Sequence, residues 1–178
     1  MPFELQPRLI SDLLEVRPIA IDDFDDLYSV ASDPLLWEQH PDRERWRPEP
    51  FRSFFDESLG SGGALTAIDV RDRRIIGSSR YHGYDEERSE VEIGWTFLAR
   101  SHWGGVYNGE LKRLMLGHAF RFVRTVIFLV GSDNLRSQRA VEKIGGARSG
   151  LRRDGSGRQS LVYRIDGETW VPRSIPGP

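Results

Sequence analysis

The sequence predicts an α/β (α+β) fold, with a mixed central sheet of six to seven strands and helices on both faces. Residues 90–97 alternate polar and apolar side chains, which is the two-residue period of a strand with one buried face. A turn containing Gly104 and Gly105 follows, and apolar residues then recur every three or four positions from Val106 to Val123, as in an amphipathic helix. Residues 125–130 form an almost wholly apolar run. Two strands joined by a helix of this length are expected to be parallel neighbours with a right-handed crossover.

The chain before this unit predicts an antiparallel first half of the sheet and two helices. Short apolar runs bounded by charged turns predict strands at residues 13–17, 64–70 and 74–82. Asp22 or Asp23 caps a helix that ends before Asp33, because a carboxylate satisfies the free N–H groups of a first turn. A second helix is expected over residues 49–59, after an irregular loop at residues 35–50.

The chain after the crossover predicts one more helix and a final hairpin. Asp133 or Asn134 caps the helix, and Gly145 and Gly146 end it. Residues 147–153 and 160–165 are expected to pair around a turn at residues 154–157. Residues 1–178 then form one domain with its core over residues 9–170, and the tail at residues 171–178 is expected to be loosely held.

The composition is that of a soluble globular protein, with 38% hydrophobic and 29% charged residues. No window approaches the 18 or so consecutive apolar residues of a membrane helix, and the first residues lack the layout of a signal peptide. We therefore expect a cytoplasmic location and no membrane partner. The absence of cysteine excludes disulfides, thiolate metal sites and cysteine nucleophiles, and the four histidines do not recur at metal-ligand spacing, so no metal is expected.

The net charge of −2 hides an acidic first third and a mostly basic stretch at residues 136–164. This asymmetry suggests a small polyanionic ligand near the C-terminal third rather than a long nucleic acid, which would require a more basic protein. The turn at Gly104 and Gly105 is one candidate site, because free N–H groups at a helix start attract phosphate. Tight turns also use glycine for steric reasons alone, and that alternative stays open.

Three motifs follow one another along the chain: Glu92-Ile93-Gly94-Trp95, then Trp103-Gly104-Gly105 followed by Asn108 and Glu110, then Asn134-Leu135-Arg136-Ser137 continuing to Gly145. In this order they resemble the Gcn5-related N-acetyltransferase (GNAT) superfamily, and within it the ribosomal-protein N-terminal acetyltransferases. The resemblance extends over residues 14–170.

The resemblance implies acetyl-CoA as cosubstrate, held where the fourth and fifth predicted strands splay apart. The turn would bind the pyrophosphate, the end of the fourth strand would pair with the pantetheine arm, and the helix after the fifth strand would meet that arm. The implied cofactor-binding residues are Thr96, Phe97, Leu98, Ala99, Trp103, Gly104, Gly105, Val106, Tyr107, Asn108, Gly109, Asn134, Ser137 and Arg139. Arg136 and Lys143 are further candidates for the CoA phosphates, although an exposed helix face explains such cations equally well.

The same resemblance implies that Glu92 is the general base, with Glu90 in reserve. Strand alternation places Glu92 on the face of Glu90 and Gly94, opposite Val91, Ile93 and Trp95. Both glutamates are also what an ordinary solvent-facing strand would carry.

Other parts of the implied chemistry are less complete. Many relatives have a tyrosine acid where this chain has Val141, so Ser137 or a water would have to protonate the thiolate. A backbone N–H near Phe97 or Leu98 would stabilise the oxyanion. Tyr81 and His82 are candidates for the acceptor cleft, although core packing explains Tyr81 equally well.

The leading hypothesis is an acetyl-CoA-dependent N-acetyltransferase acting on a primary amine, such as a protein N-terminus or a small-molecule amine. The alternative is a non-catalytic CoA-binding or acyl-CoA-binding module, suggested by the side chains of Val106 and Val141, where the family pattern differs. A third hypothesis is nucleic-acid binding through the basic residues 136–164. We nevertheless expect no nucleic-acid partner. A monomer and a homodimer are both consistent with the sequence.

Overall fold

A computed structural model describes residues 3–153 and 157–172, and a mixed sheet runs through the centre of this part of the chain. Its strands are β1 (Leu9–Ile10), β2 (Leu14–Pro18), β3 (Ala64–Asp69), β4 (Ile75–Asp85), β5 (Glu90–Leu98), β6 (Thr125–Gly131), β7 (Ala147–Arg153) and β8 (Gln159–Asp166). The α-helices are α1 (Phe24–Ala31), α2 (Pro48–Gly60), α3 (Tyr107–Ala119) and α4 (Leu135–Lys143). The order across the sheet is β1-β2-β3-β4-β5-β6-β8-β7.

The described sheet has eight strands, so the prediction of six to seven was wrong by the short strand β1. Leu9 and Ile10 pair with Val16 and Glu15 of β2. Two residues are too few to show a period-2 pattern, which is why this strand leaves no sign in the sequence.

One parallel pair interrupts an otherwise antiparallel sheet, which confirms the predicted mixed topology. β5 and β6 run parallel from the pair Glu90 and Thr125 to the pair Glu92 and Ile127. Beyond that point β5 pairs with β4 and β6 pairs with β8. The two strands therefore separate toward their carboxyl ends, and we call the gap between residues 93–98 and residues 128–131 the β5–β6 cleft.

Helices cover both faces of the sheet. On one face, α1 and α2 pack through Leu27, Phe51 and Phe55 into an aromatic-rich core. On the other face, Leu111 and Met115 of α3 share a core with Val141 of α4. These are called the α1/α2 face and the α3/α4 face below.

A bulge in β5 changes which residues share a face. Trp95 has a φ of 51°, and the pairing with β4 shifts register between Ser78 and Arg80. The left-handed residue adds an extra position to β5, as in a β-bulge. Trp95 therefore lies on the α1/α2 face with Glu92, and the prediction that it faces the opposite way was wrong.

The loops agree with the sequence only in part. The segment between α1 and α2 contains a short 3₁₀ helix at Pro34–Leu36, and buried Trp37 donates its indole N–H to the Ala31 carbonyl oxygen at 2.7 Å. The predicted turn at residues 154–157 and the predicted loose tail fall largely outside the described residues. Within the described ranges, no helix is both long and apolar enough to cross a membrane.

Candidate active site

Glu92 lies on β5 just before the β5–β6 cleft, and its side chain faces a cavity of about 560 Å³. It is only 8% exposed to solvent. The cavity is lined by His82, Gly83, Asp85, Arg88, Glu90, Glu92, Trp95, Ile127, Leu129 and Arg152. The structure therefore brings the predicted base, the reserve base and His82 to one concave surface on the α1/α2 face.

Burial raises the pKa of the Glu92 carboxyl from 4.5 to about 7. Desolvation is the main cause, because a charged carboxylate is less stable away from water, and the negative charge of Glu90 adds to it. Arg152 and Arg80 act in the opposite direction without cancelling the effect. A carboxyl group with this pKa can both accept and release a proton near neutral pH.

The side chain of Glu92 lies along its own strand, over Gly94. Its Oε1 atom is 3.1 Å from the position that a Cβ atom on Gly94 would occupy. Because Gly94 has no side chain, the carboxylate of Glu92 has room to lie over it. This contact confirms that Glu92 and Gly94 share a face, as alternation predicted.

Trp95 lines the cavity, and Arg80 packs against Trp95. The sequence identified neither residue as part of the site. The rings of His82 and Trp95 meet edge to face with centroids 5.1 Å apart. The Arg80 guanidinium lies 4.5 Å from the Trp95 ring centroid and donates to Glu57 Oε1 at 2.9 Å and to Ser58 Oγ at 2.7 Å. A tryptophan after Gly94 was visible in the sequence, but its face depends on the bulge.

Tyr81 belongs to the core and not to the cavity. It is 1% exposed, and its hydroxyl donates to the Met115 carbonyl oxygen at 2.6 Å. Burial holds its pKa well above 10. Of the two explanations left open by the sequence, core packing is the one that the structure supports.

The predicted phosphate turn, Trp103 to Asn108, lies at the start of α3. Gly104 has a φ of 69°, which favours glycine, and both Gly104 and Gly105 are exposed. The backbone N–H groups of residues 104–109 donate to no other described residue, and no side chain caps the helix at Val106. An exposed row of free N–H groups at a helix start can bind an anion.

Buried polar contacts hold this turn in place. The Tyr107 hydroxyl donates to Asp69 Oδ2 at 2.9 Å, and the His102 ring nitrogen lies 3.2 Å from the same oxygen. Arg71 also pairs with Asp69, and these partners keep the pKa of that carboxyl well below its usual range. The side chain of Tyr107 is thus directed at Asp69, and only its backbone N–H belongs to the turn.

Other predicted cofactor residues lie at the end of β5 and, in the case of Ala99, just after it. The Phe97 ring packs in the α1/α2 core, and the Ala99 N–H donates to the Ile76 carbonyl oxygen at 2.8 Å. The Leu98 carbonyl oxygen accepts a hydrogen bond from the Trp103 indole at 2.9 Å. Thr96 turns toward the α3/α4 face, where its hydroxyl lies 2.8 Å from that of Ser79.

The predicted residues of α4 lie across the cleft. The side chain of Asn134 caps the helix by accepting from the Ser137 N–H at 3.1 Å, so that part of its hydrogen-bonding capacity is already used. Ser137 is half-buried and Arg139 is exposed. The Arg136 guanidinium stacks 3.9 Å from the Trp103 ring centroid and so links α4 to the phosphate turn.

A smaller cavity of about 250 Å³ lies where the loop after β6 meets the loop between α1 and α2. Its lining includes His40, Pro41, Gly131 and Asn134. It therefore adjoins the start of α4 rather than Glu92. The described residues contain no cluster of three or more His, Cys, Asp or Glu side chains placed to hold a metal ion.

Comparisons with known proteins agree with this fold. The sequence model of the acetyltransferase (GNAT) domain family matches residues 14–147. No curated protein matches the chain.

Solved structures share the fold over most of the chain. A candidate acetyltransferase from T. thermophilus is 27% identical with a TM-score of 0.72, covering 96% of this chain and 92% of its own. A GCN5-related N-acetyltransferase from Brucella melitensis is 17% identical with a TM-score of 0.81, covering 93% and 80%. A candidate ribosomal-protein-serine acetyltransferase from Vibrio cholerae is 12% identical with a TM-score of 0.74, covering 90% and 97%, and this similarity concerns the fold alone. With three-quarters of its length matched by the family, the chain belongs to the GNAT acetyltransferases.

Proposed function

We propose that this protein transfers the acetyl group of acetyl-CoA to a primary amine, with Glu92 as the general base. The observation that carries the proposal is the buried Glu92 carboxylate, which faces a cavity at the point where β5 and β6 separate. The acetyl group would reach this point through the cleft, and the acceptor amine would enter from the cavity.

Glu92 answers the main chemical requirement of the reaction. A lysine amine has a pKa of about 10.4 and a protein N-terminus about 8, so both are largely protonated at neutral pH and cannot attack a carbonyl carbon. The neutral amine is therefore the form that attacks, and a carboxylate with a pKa of about 7 can take a proton from its nitrogen as the C–N bond forms. The carbonyl oxygen would gain a negative charge in this step, and a main-chain N–H of β5 beside the cleft is the proposed donor to it.

The turn at the start of α3 supports acetyl-CoA as the donor. Its free N–H groups and exposed glycines suit a pyrophosphate. Thr96, Phe97, Leu98 and Ala99 lie between this turn and Glu92, along the cleft. Asn134, Ser137 and Arg139 begin the opposite wall, and we propose that they contact the pantetheine arm and the phosphates.

The cavity favours an amine that carries positive charge elsewhere or sits in a cationic peptide. Its wall carries the carboxyl groups of Asp85, Glu90 and Glu92. The guanidinium groups of Arg88, which is paired with Asp85 at 3.5 Å, and of Arg152 oppose them, so one carboxyl group remains in excess. A protein N-terminus, as in the ribosomal-protein branch, is one acceptor of this kind, and a small-molecule amine is another.

The oligomeric state and the cytoplasmic location stay predictions.

Release of CoA thiol over a panel of N-terminal peptides, polyamines, aminoglycosides and amino acids tests the proposal. With the best acceptor, we expect Glu92→Gln to lower kcat/KM by about a hundredfold or more, since a general base contributes roughly that much. Glu90→Gln, on the same wall, serves as the control and should have a much smaller effect. An unchanged rate in Glu92→Gln would remove the assigned base.

A second candidate function is a non-catalytic module that binds CoA or acyl-CoA. It is favoured by Val141, which is 6% exposed and packs in the core with no group able to protonate a thiolate. Calorimetry separates the two functions: binding heat with acetyl-CoA, but no thiol release with any amine, would support the module. The absence of binding heat at millimolar acetyl-CoA would contradict both.

A further inference from the structure

Lys112 is a buried lysine on the side of α3 that faces the sheet. It is 5% exposed, although lysine is almost always at the surface. Its Nζ atom donates to the hydroxyl of Thr96 on β5 and to Ser79 Oγ on β4 at 3.3 Å, and it lies 5.6 Å from the ring centroid of Phe128 on β6. Packing alone does not require an amine here, since an apolar side chain would avoid the cost of burying it.

The contact between Lys112 and Thr96 depends on the bulge at Trp95. Without the extra residue, Thr96 would lie on the same face as Glu92. With it, Thr96 turns to the α3/α4 face, where its hydroxyl meets Lys112. Thr96 belongs to one wall of the cleft and Phe128 begins the other. Nζ therefore bonds to a residue of one wall and lies 5.6 Å from the ring centroid of a residue of the other, on the α3/α4 face.

Glu92 and Lys112 therefore approach the cleft from opposite faces of the sheet. Glu92 lines the cavity on the α1/α2 face, and the side chain of Lys112 extends from α3 on the α3/α4 face. Transfer from a thioester needs two proton movements, one from the attacking amine and one to the departing sulfur. A base on one face and an acid on the other would serve the two sides of the same carbonyl carbon.

We propose that Lys112 is the general acid that protonates the departing CoA sulfur. This inference rests on the proposed function. An ammonium group has three N–H donors, of which two are used by Thr96 and Ser79, and the third is left for the sulfur. Ser137, the acid suggested by the sequence, would not be needed.

The proton balance of the step is complete. The neutral amine nitrogen forms a bond to the carbonyl carbon and gives one proton to Glu92. The carbon–sulfur bond breaks, the sulfur keeps the electron pair, and a proton from the Lys112 ammonium converts it to CoA thiol. Neutral Lys112 then takes a proton from water and Glu92 releases one, which restores both groups.

The surroundings of Lys112 support this role. The groups packed against Nζ are the hydroxyls of β4 and β5 and the apolar ring of β6, and burial alone lowers its pKa from 10.5 to about 7. A thiol such as that of cysteine has a pKa of about 8.5, so proton transfer from Lys112 to the thiolate is favourable. Burial is the only cause of this shift, so no charged side chain among the described residues acts measurably on the Lys112 amine.

The pH dependence of kcat tests the proposal. We expect kcat of the wild type to fall above the pKa of Lys112, because the acid is then deprotonated. Lys112→Met should lower kcat by about a hundredfold at neutral pH. It should also abolish the fall of kcat at high pH, which is the basic limb of the pH profile. Arg121→Met, which removes an exposed cation just after α3, is the matched control and should leave both unchanged.

A direct measurement of the Lys112 pKa supplies a readout besides activity. The chain has only two lysines, Lys112 and Lys143, so carbon-13 labelling of the lysine ε-carbon gives two NMR signals, and Lys112→Met assigns them. We expect the Lys112 signal to titrate near the pH at which kcat of the wild type falls. Titration near the ordinary value of about 10.4, or a wild-type kcat without a basic limb, would overturn the proposal even if the variant failed to fold.

The outcomes also separate this inference from the proposed function. If the wild type releases CoA and Lys112→Met matches it at every pH, the acid role is overturned and the acetyltransferase stands. If the wild type releases no CoA with any amine, both are overturned. Acetylation of Lys112 itself, seen by mass spectrometry after incubation with acetyl-CoA, would contradict the acid role, because an amide cannot donate this proton.

Discussion

The carboxylate of Glu92 occupies the space that a side chain on Gly94 would fill, with Oε1 3.1 Å from the position of the missing Cβ atom. Both residues lie on the α1/α2 face of β5, ahead of the bulge at Trp95. The position of the proposed base thus depends on a glycine that takes no part in the chemistry.

Gly94→Ala should therefore impair catalysis without removing any reacting group. The new methyl group would push the carboxylate aside, because a contact of 3.1 Å is tighter than most Cβ contacts. A misplacement of about 1 Å can cost roughly a hundredfold in rate, so this smaller shift should cost roughly a few-fold. We expect a lower kcat/KM in the thiol-release assay and little change in the binding heat of acetyl-CoA. Gly60→Ala is the control, since a Cβ atom at Gly60 has open space around it. A fully active Gly94→Ala would show that the carboxylate need not lie where the structure has it.

The pKa of Glu92 also predicts how stability depends on pH. The folded carboxyl titrates at about 7 and the unfolded one near 4.5, so between these values the folded protein binds more protons. Stability must then fall as pH rises through this window, because ionising the buried group is costly. Glu92→Gln removes this cost. In urea unfolding, its free energy of unfolding relative to wild type should rise from about pH 4.5 to about pH 7 and then level off. A constant difference across the window would contradict the raised pKa.

The sequence predicted the parts of this site that depend on local periodicity. Alternation placed Glu92 with Gly94, and a helix after a glycine turn placed free N–H groups near Gly104. Trp95 was misplaced because a non-glycine residue with positive φ has no local signature, and the bulge reverses every later side chain of the strand.

Lys112 was overlooked for a different reason. Charged residues are taken as solvent-facing in a helical pattern, so only apolar members were counted in the stripe of α3. Lys112 is nevertheless three residues before Met115 and seven before Ala119, both of which are buried. Spacing alone would have placed it on the inner face. Its contacts with Thr96 and Ser79 could not be foreseen, because they bring together strands distant in sequence.

The phosphate turn can be tested through two glycines with similar backbone conformations. Gly104 has a φ of 69° and Gly62, in the turn after α2, has a φ of 66°, and neither has an atom near the position of a Cβ atom. Alanine at either position should therefore lower the free energy of unfolding by about 1 kcal/mol through backbone strain alone. If the turn holds the pyrophosphate, only Gly104→Ala should weaken acetyl-CoA binding in calorimetry. Equal affinities in the two variants would place the phosphates elsewhere.

Lys112 predicts a stability change of opposite sign to that of Glu92. The folded amine titrates at about 7 and the unfolded one near 10.5, so the unfolded chain binds more protons between these values. Stability should rise with pH across this window, because the folded protein no longer has to bury an ammonium group. Lys112→Met removes the penalty and should be most stabilising, relative to wild type, below about pH 7, with the advantage shrinking toward about pH 10. The measurement is urea unfolding of both proteins at several pH values, with Arg121→Met as the control. If Lys112→Met were less stable than wild type at every pH, the two hydroxyl contacts would outweigh the cost of burying the amine, and Lys112 would be a structural residue.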